Sequence, residues 1–308
     1  MKHVPTSLAL PTPVRELVTD EIVEILEFAV QAFAQGGVAL ATLVEIRGGA
    51  ARALGSHVVV AADGRFCGYV SGGCVEAAVA AEALLALDEG RDRTVKFGAG
   101  SPFIDIELPC GGGITIAIHI VRSVTAIVQI LENLKQRRSA TLRYVRATQS
   151  LNVVELVPRS GWQDDGFNTV YRPRTRIVVS GQAVEAETVA HLATASGYDV
   201  VMRAAGQYGS PECQIDPFTA IILLHHDLDR EEPLLHMALQ SPAFYIGALG
   251  STRTHKRRED RLRKSGFDER DLARIKAPIG VFGPTRDASS LALSVLADLA
   301  ATRLMHYA

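Results

Sequence analysis

Residues 56–76 read SHVVVAADGRFCGYVSGGCVE, and this stretch decides the fold of the first half of the chain. Two runs rich in β-branched and aromatic residues, Ser56–Ala62 and Arg65–Val70, flank Asp63-Gly64, a dipeptide typical of two-residue hairpin turns. The chain then passes through two glycines into a segment of Ala, Val, Leu and Glu that favours a helix. The stretch therefore predicts a β-hairpin, a glycine turn and a helix.

Cys74 stands where the glycine turn becomes this helix. At a helix N-terminus the free N–H groups and the helix dipole stabilise a thiolate, and neighbouring glycines let a ligand approach the backbone. Glu76, in the same turn, opposes thiolate formation. The local sequence leaves two interpretations open: a reactive or ligating thiol, or a small buried cysteine that packs the turn.

The whole chain has the composition of an ordinary globular protein. Its 308 residues and net charge of −2 allow two domains and argue against a dedicated nucleic-acid-binding protein. No apolar run approaches the ~20 residues of a membrane span, and the first residues lack the apolar core of a secretory signal. We therefore expect a cytoplasmic protein that binds neither membrane nor nucleic acid, with its four cysteines as free thiols or ligands. No Cys-x-x-Cys or His-x-x-x-His pair predicts a structural zinc site.

The first half mixes strands and helices without a regular alternation. A Pro-rich arm is predicted at residues 1–18, and an α+β domain with a mixed, largely antiparallel sheet at 19–158. Residues 159–174 combine Gly, Trp, Asp, Asn and Pro with no apolar period, which predicts a linker.

Residues 175–308 alternate strands with helices. The predicted strands are Thr175–Val179, Asp199–Arg203, Ala220–His225 and Phe244–Ala248, and the continuous apolar run at 221–224 suits a strand covered on both faces. This rhythm predicts a Rossmann-like, doubly wound parallel sheet, and hence an α/β protein overall.

The dinucleotide fingerprint of such a sheet is incomplete here. The first strand ends Ser180-Gly-Gln-Ala-Val-Glu185, which keeps only the first glycine of Gly-x-Gly-x-x-Gly. Ala183 replaces the glycine that approaches a pyrophosphate, Glu185 adds negative charge, and the second strand ends without a ribose-binding carboxylate. The sequence keeps the pattern of the fold and disfavours NAD(P) binding.

Two other segments of the second half carry candidate ligand contacts. Gly247-Ala-Leu-Gly250-Ser251 ends a strand and opens a helix, where backbone N–H groups can cradle an anion, and Arg253 follows. His225-His226-Asp227 stands at the carboxyl edge of the third strand, the edge where doubly wound sheets bind ligands. Each segment also fits a plainer interpretation: a solvated basic helix face and an exposed polar loop.

Several stretches together resemble the XdhC/CoxI family, maturation factors for xanthine and carbon monoxide dehydrogenases. Ser71–Glu76 is similar to the family's Ser-Gly-Gly-Cys-Val-Glu run, and Leu108-Pro-Cys-Gly-Gly112 to its Cys-Gly-Gly motif before a strand. Further on, the family's C-terminal dinucleotide-like domain is resembled by Ser241–Ser251, Arg253–His255 and Ala277–Gly280. The likeness covers nearly everything beyond residue 20.

The resemblance implies an accessory protein and not an enzyme: a chaperone that binds molybdenum cofactor and delivers its sulfurated form to a xanthine dehydrogenase-type molybdoenzyme. It also implies a cysteine desulfurase as the sulfur source, and a homodimer, to which the apolar last helix adds weight. Cys74 and Cys110 are the candidate metal ligands, because thiolates suit a soft metal, and we hypothesise that they converge on one pocket. The cofactor-binding candidates are Ser71, Gly72, Gly73, Cys74, Glu76, Cys110, Gly111, Gly112, His226, Gly247, Gly250, Ser251 and Arg253.

The second half also departs from the family pattern. Gly181-Gln-Ala-Val184 lacks the second glycine and the histidine of the family's turn, the Asp-Pro-Arg after the second strand is missing, and Gly280–Thr285 lacks an acidic residue. These changes argue against nucleotide binding by this domain. Two alternatives stay open: an NAD(P)-dependent oxidoreductase built on the second domain, and a persulfide carrier that acts through Cys74.

Overall fold

The computed structural model describes residues 10–101, 111–181, 183–203 and 215–307. The chain divides into two compact units, a first unit of residues 1–172 and a second unit of residues 173–308. The two units differ in the kind of sheet that each contains.

The first unit combines short strands with three helices in its described residues. Its elements are β1 (Val14–Leu17), α1 (Ile22–Gln35), β2 (Val38–Arg47), β3 (His57–Ala61), β4 (Arg65–Gly68), α2 (Glu76–Glu89), β5 (Arg93–Gly98), β6 (Gly113–Ile120), α3 (Thr125–Lys135), β7 (Ala140–Val145), β8 (Ser150–Val154), β9 (Gly161–Gln163) and β10 (Gly166–Tyr171). The hairpin predicted around Asp63-Gly64 is present as β3 and β4. The sequence also predicts a strand at Ile104–Leu108, and this segment lies outside the described residues.

Two sheets organise the strands of the first unit. The larger has the order β1-β4-β3-β2-β6-β5, with β1 parallel to β4 and its other pairs antiparallel. The smaller is antiparallel, with the order β8-β7-β10-β9. Helix α2 covers one face of the larger sheet and buries Val79, Ala80 and Ala83, whereas α1 and α3 cover the other face. This arrangement confirms the predicted α+β fold with a largely antiparallel sheet.

The predicted N-terminal arm needs a correction at its end. Residues Val14–Leu17 form β1, which pairs in parallel with β4. Three of the four residues are exposed, so backbone pairing rather than side-chain burial holds this edge strand. An edge strand without a buried face has no apolar period, which is why the sequence does not signal it.

The predicted linker at 159–174 is also corrected. Strands β9 and β10 occupy much of this range, and β10 pairs with β7 over its whole length from Gly166 to Tyr171. The buried residues of β10 include Asn168 and Thr169. Because their side chains are polar, the strand shows no apolar periodicity in the sequence.

The second unit is a parallel sheet with helices on both faces. Its elements are β11 (Arg176–Gly181), α4 (Ala183–Ala195), β12 (Asp199–Arg203), β13 (Thr219–Leu224), α5 (Leu228–Leu239), β14 (Tyr245–Ala248), α6 (Thr252–Lys264), α7 (Glu269–Leu272), β15 (Ile275–Lys276) and α8 (Ala288–Tyr307). The strand order is β12-β11-β13-β14-β15, and all pairs are parallel. The predicted doubly wound sheet is therefore confirmed, with its switch point between β11 and β13.

Helix α8 is the one helix, among the described residues, whose length and apolar composition match a membrane span. Its residues Leu291, Val295, Leu296 and Leu299 are buried in the core that α4 and the sheet also form. Leu293 is 58% exposed and lies outside that core. The apolar stripe of the last helix thus faces its own unit, so it gives no support to the predicted homodimer.

Candidate functional site

The Cys74 turn, residues 71–75, lies at one end of the larger sheet. It follows β4, whose last residue Gly68 pairs with Val58 near the start of β3. At the same end of the sheet, Arg47 of β2 pairs with Gly113 at the start of β6. Strands β3 and β2 separate β4 from β6, and Gly68 lies level with Ala41 of β2, six residues before Arg47, so the end of β4 and the start of β6 are offset along the sheet as well as across it.

The carboxylate of Glu76 fills the centre of the Cys74 turn. It accepts hydrogen bonds of 2.8–3.2 Å from five backbone N–H groups and is 1% exposed. The hydroxyl of Ser71 lies 3.0 and 2.9 Å from its two oxygens. The donating N–H groups belong to Val70, Ser71, Gly72, Gly73 and Val75.

This arrangement changes the role of the predicted cofactor-binding residues in the turn. Burial acts to raise the pKa of Glu76, but the hydrogen bonds from Ser71 and Val70 outweigh it and hold the pKa below its usual value. The carboxylate is therefore ionised near neutral pH. The N–H groups of Gly72 and Gly73, both named as cofactor-binding candidates, already bind the chain's own carboxylate.

Cys74 itself is exposed, so the interpretation as a buried packing residue is wrong. Helix α2 begins at Glu76 with Val75 as its N-cap, which places Cys74 just before the helix rather than in its first turn. The Cys74 N–H donates to the Ser71 hydroxyl oxygen at 3.1 Å. Cys67, by contrast, is buried in β4, and burial raises the pKa of its thiol to about 12.

The second cysteine motif is described only in part, because Cys110 lies outside the described residues. Gly112 packs tightly on the loop between β2 and β3, since a Cβ at this position would lie 2.2 Å from the Gly49 carbonyl oxygen. Gly72 approaches the same loop, where its Cβ would lie 3.4 Å from that of Ala51. The glycines of both cysteine motifs therefore contact one loop, residues 48–56.

A cavity of about 200 Å³ adjoins this loop, and we call it the first-unit cavity. Arg52 and Tyr69 form part of its wall, and His57 and Tyr171 lie among its buried residues. The His57 ring nitrogens lie 3.0 Å from the Thr42 hydroxyl and 2.7 Å from the Tyr171 hydroxyl. Burial lowers the pKa of His57 to about 4, so the imidazole is neutral.

Sequence reasoning missed this cavity and its polar cluster. His57 stands at the start of an apolar strand, and Tyr171 lies in the segment predicted as a linker. The available signal was a histidine directly before Val-Val-Val, but its partner is distant in the sequence.

A larger cavity of about 840 Å³ lies at the carboxyl ends of β13, β14 and β15, and we call it the second-unit cavity. Three of the predicted cofactor-binding residues, His226, Gly250 and Ser251, line it. Arg253 is exposed on α6 but is not among the lining residues. Gly247 is buried in β14, where a Cβ would lie 2.5 Å from the Ile279 side chain, so packing accounts for this glycine.

The switch point between β11 and β13 is closed by a polar contact. The Ser180 hydroxyl lies 2.8 Å from Nε2 of His225, and both side chains are buried. A Cβ on Gly181 would lie 2.5 Å from Leu224 Cβ, so close packing of the strand ends requires this glycine. Burial lowers the pKa of His225 and keeps its ring neutral. Packing thus explains the one glycine that remains of the dinucleotide fingerprint.

Within the described residues, no group of three or more His, Cys, Asp or Glu side chains is arranged to hold a metal ion. The predicted pairing of Cys74 with Cys110 stays a prediction, because Cys110 lies outside the described residues.

The fold defines a two-unit α/β protein. An α+β unit with an exposed thiol turn is followed by a Rossmann-type parallel sheet with a cavity at its carboxyl edge. Residues 177–299 match the family model for the XdhC Rossmann domain, and residues 32–98 match that for the XdhC and CoxI family. The chain belongs to the XdhC and CoxI family.

The relatives extend this assignment. The chain is 48% identical, over 95% of its length and 92% of the relative's, to the molybdenum cofactor insertion chaperone PaoD of Escherichia coli. It is 25% identical over 85% of its length to the uncharacterized protein YqeB of the same organism, of which it spans 42%. The relative PaoD is a chaperone and not an enzyme, which supports the expected accessory role.

A solved structure shares the fold. A chain described as a xanthine dehydrogenase from Bacillus halodurans superposes with a TM-score of 0.70, covering 92% of this chain and 96% of that chain. The two sequences are 19% identical, so this likeness speaks for the fold alone.

Proposed function

We propose that this chain is a molybdenum cofactor insertion chaperone that receives the cofactor and passes it to an apo-molybdoenzyme. The observation that carries the proposal is the 48% identity to such a chaperone over nearly the whole of both chains. The finer proposal is that the cofactor is delivered in its sulfurated form to a xanthine dehydrogenase-type enzyme in the cytoplasm, with a cysteine desulfurase as the sulfur source.

The described residues offer chemistry that suits this cargo. The exposed Cys74 thiol is a ligand type that soft metals prefer. The second-unit cavity lies beside the N-terminus of α6, whose first turn contains no acidic residue. We propose that Cys74 contacts the metal of the cargo. The residues lining the second-unit cavity suit an anion, and we propose this as a separate site within the second unit.

We also propose that Cys110 joins Cys74 as a second ligand. Support comes from the shared loop at 48–56, which Gly72 of the first motif and Gly112 of the second both approach. A homodimer remains part of the proposal, and analytical ultracentrifugation at low micromolar concentration tests it, a monomer being the contrary result.

Equilibrium dialysis against molybdenum cofactor and against NADPH tests the proposed cargo. We expect the wild-type chain to bind the cofactor and not the nucleotide. Tight nucleotide binding without cofactor binding would instead favour the oxidoreductase alternative. The persulfide alternative is tested by mass spectrometry of protein purified anaerobically from its host, where a persulfide on Cys74 without a pterin supports it.

The proposed ligands are tested by substitution. Cys74→Ser together with Cys110→Ser is expected to weaken cofactor binding by about tenfold or more, since even indirect metal contacts typically contribute that much. Cys67→Ala, which removes a buried thiol close by in the sequence, is the matched control and is expected to bind normally. Unchanged affinity in the double variant contradicts the assignment of the thiols.

A further inference from the structure

The Cys74 turn has the geometry of an anion-binding nest. Five consecutive or nearly consecutive N–H groups converge on one point, an arrangement that binds phosphate or other anions in many proteins. Gly72 and Gly73 make the convergence possible, because their φ angles of +91° and +118° lie in the left-handed region that favours glycine. Here the anion is a carboxylate of the same chain.

A short chain of hydrogen bonds joins that carboxylate to Cys74. Glu76 binds the Ser71 hydroxyl, and the Ser71 oxygen in turn accepts the N–H groups of Cys74 and Val75, each at 3.1 Å. The backbone of Cys74 is therefore fixed through one intermediate side chain. The carboxylate is almost wholly buried while the Cys74 thiol is exposed, so the two groups face different environments.

We propose that Glu76 is the positioning residue for Cys74: its carboxylate occupies the nest as a resident anion and holds the thiol in its exposed place. The nest is thereby closed to a phosphate of the cargo, and Glu76 acts on cargo binding only through Cys74. The effect of Glu76 on cofactor binding rests on the proposed function. The occupation of the nest by the Glu76 carboxylate does not depend on that function.

Amide hydrogen exchange of the full-length, cofactor-free chain tests the structural part. Glu76→Gln places an NH₂ donor among the N–H donors of the turn and leaves a single acceptor oxygen. Amide exchange at residues 71–73 is therefore expected to become about tenfold faster, which corresponds to the loss of a hydrogen bond to a charged group. Asp88→Asn removes the same charge from an exposed position of α2 and is expected to leave exchange at 71–73 unchanged. Wild-type protection in the Glu76→Gln variant would overturn the proposal.

Anion rescue tests the nest more directly. Glu76→Ala leaves the N–H groups without their acceptor, and added formate is expected to restore much of the protection at 71–73, with chloride at equal ionic strength as the reference. A folded Glu76→Ala protein that gains no protection from formate overturns the assignment of an anion nest. If circular dichroism shows that Glu76→Ala is unfolded, the exchange result of Glu76→Gln decides whether Glu76 occupies the nest.

A double-mutant cycle separates positioning from direct contact. We expect Glu76→Gln and Cys74→Ser each to weaken cofactor binding, and the double variant to bind no more weakly than Cys74→Ser alone, because Glu76 acts through that thiol. Losses that add would show direct contact of Glu76 with the cargo and overturn the positioning role. If the wild-type chain binds no cofactor, the proposed function fails while the exchange and rescue results still decide the nest.

Discussion

The glycine turn before α2 and the glycine turn before α6 differ in what surrounds their N–H groups. The Cys74 turn has a glycine at φ +118° and encloses the carboxylate of Glu76. The turn before α6 has Gly250 at φ +131°, contains no acidic residue in the first turn of its helix, and borders the second-unit cavity. The comparison shows that glycines allow backbone N–H groups to converge on one point. A nearby carboxylate of the same chain then determines whether that point is already occupied.

The largest expected effect on stability concerns the buried ion pair that supports the turn before α6. Arg258 is buried, binds Glu231 at 2.5 Å and donates to the Leu249 carbonyl oxygen in the turn at 2.8 Å. Arg258→Ala leaves the Glu231 carboxylate buried without a partner, and we expect the free energy of unfolding to fall by about 3–5 kcal/mol. Urea unfolding followed by circular dichroism measures it.

The control for this prediction is Arg257→Ala, which removes an exposed guanidinium from the preceding position of the same helix. Burial raises the pKa of Glu231 despite its arginine partner, so the loss in Arg258→Ala is expected to shrink at acid pH, where the carboxyl group is neutral. Equal stability of the two variants would show that α6 does not depend on the buried pair.

A second prediction concerns pH and the polar cluster of the first unit. His57 titrates near 6.5 when unfolded and at about 4 when folded, so between these values the unfolded state binds more protons. The stabilising contribution of neutral His57 is therefore fully present above pH 6.5 and is lost as pH falls toward 4. The His57 contribution to this loss is about 3 kcal/mol.

The chain's single tryptophan, Trp162, lies in the first unit and reports its unfolding by fluorescence. His57→Gln is expected to flatten the pH dependence of urea unfolding between pH 4 and 6.5. His191→Gln, which changes an exposed histidine of the second unit, is the control. The same slope in both variants would remove His57 as the cause.

The smallest expected effect comes from the cap of α6. The Ser251 hydroxyl accepts the Thr254 N–H, whereas Val75, the cap residue of α2, has no capping side chain. Ser251→Ala is expected to cost about 1 kcal/mol in unfolding free energy, the typical value for an N-cap. Ser265→Ala at the other end of α6 is the control, and an equal loss there would contradict a specific capping role.

The sequence predicts best where one residue type fixes local geometry. Asp63-Gly64 locates the hairpin, and the apolar run at 221–224 locates a central strand that the structure buries completely. Strand β1 and strands β9 and β10 were not predictable in this way, because pairing with distant strands, and not an apolar period, stabilises them.

The sequence predicted where the Cys74 turn lies in the chain but not what each of its residues does. The pattern Ser-Gly-Gly-Cys-Val-Glu predicts a glycine turn before a helix and leaves open whether its cysteine is reactive or packs the turn. It does not predict that Glu76 folds back onto the glycines that precede it. The His57–Tyr171 contact joins residues that are far apart in the chain, and only the tertiary fold brings them together.

The two described cysteines of the hairpin region also respond differently to oxidants. Cys67 is fully buried with a thiol pKa of about 12, so it has almost no thiolate to react, whereas Cys74 is open to solvent. Peroxide or glutathione disulfide is therefore expected to modify Cys74 and spare Cys67. A preparation aged in air can keep its full melting temperature and yet have lost the thiol on which cargo binding is proposed to depend, so thiol titration rather than thermal stability measures its quality.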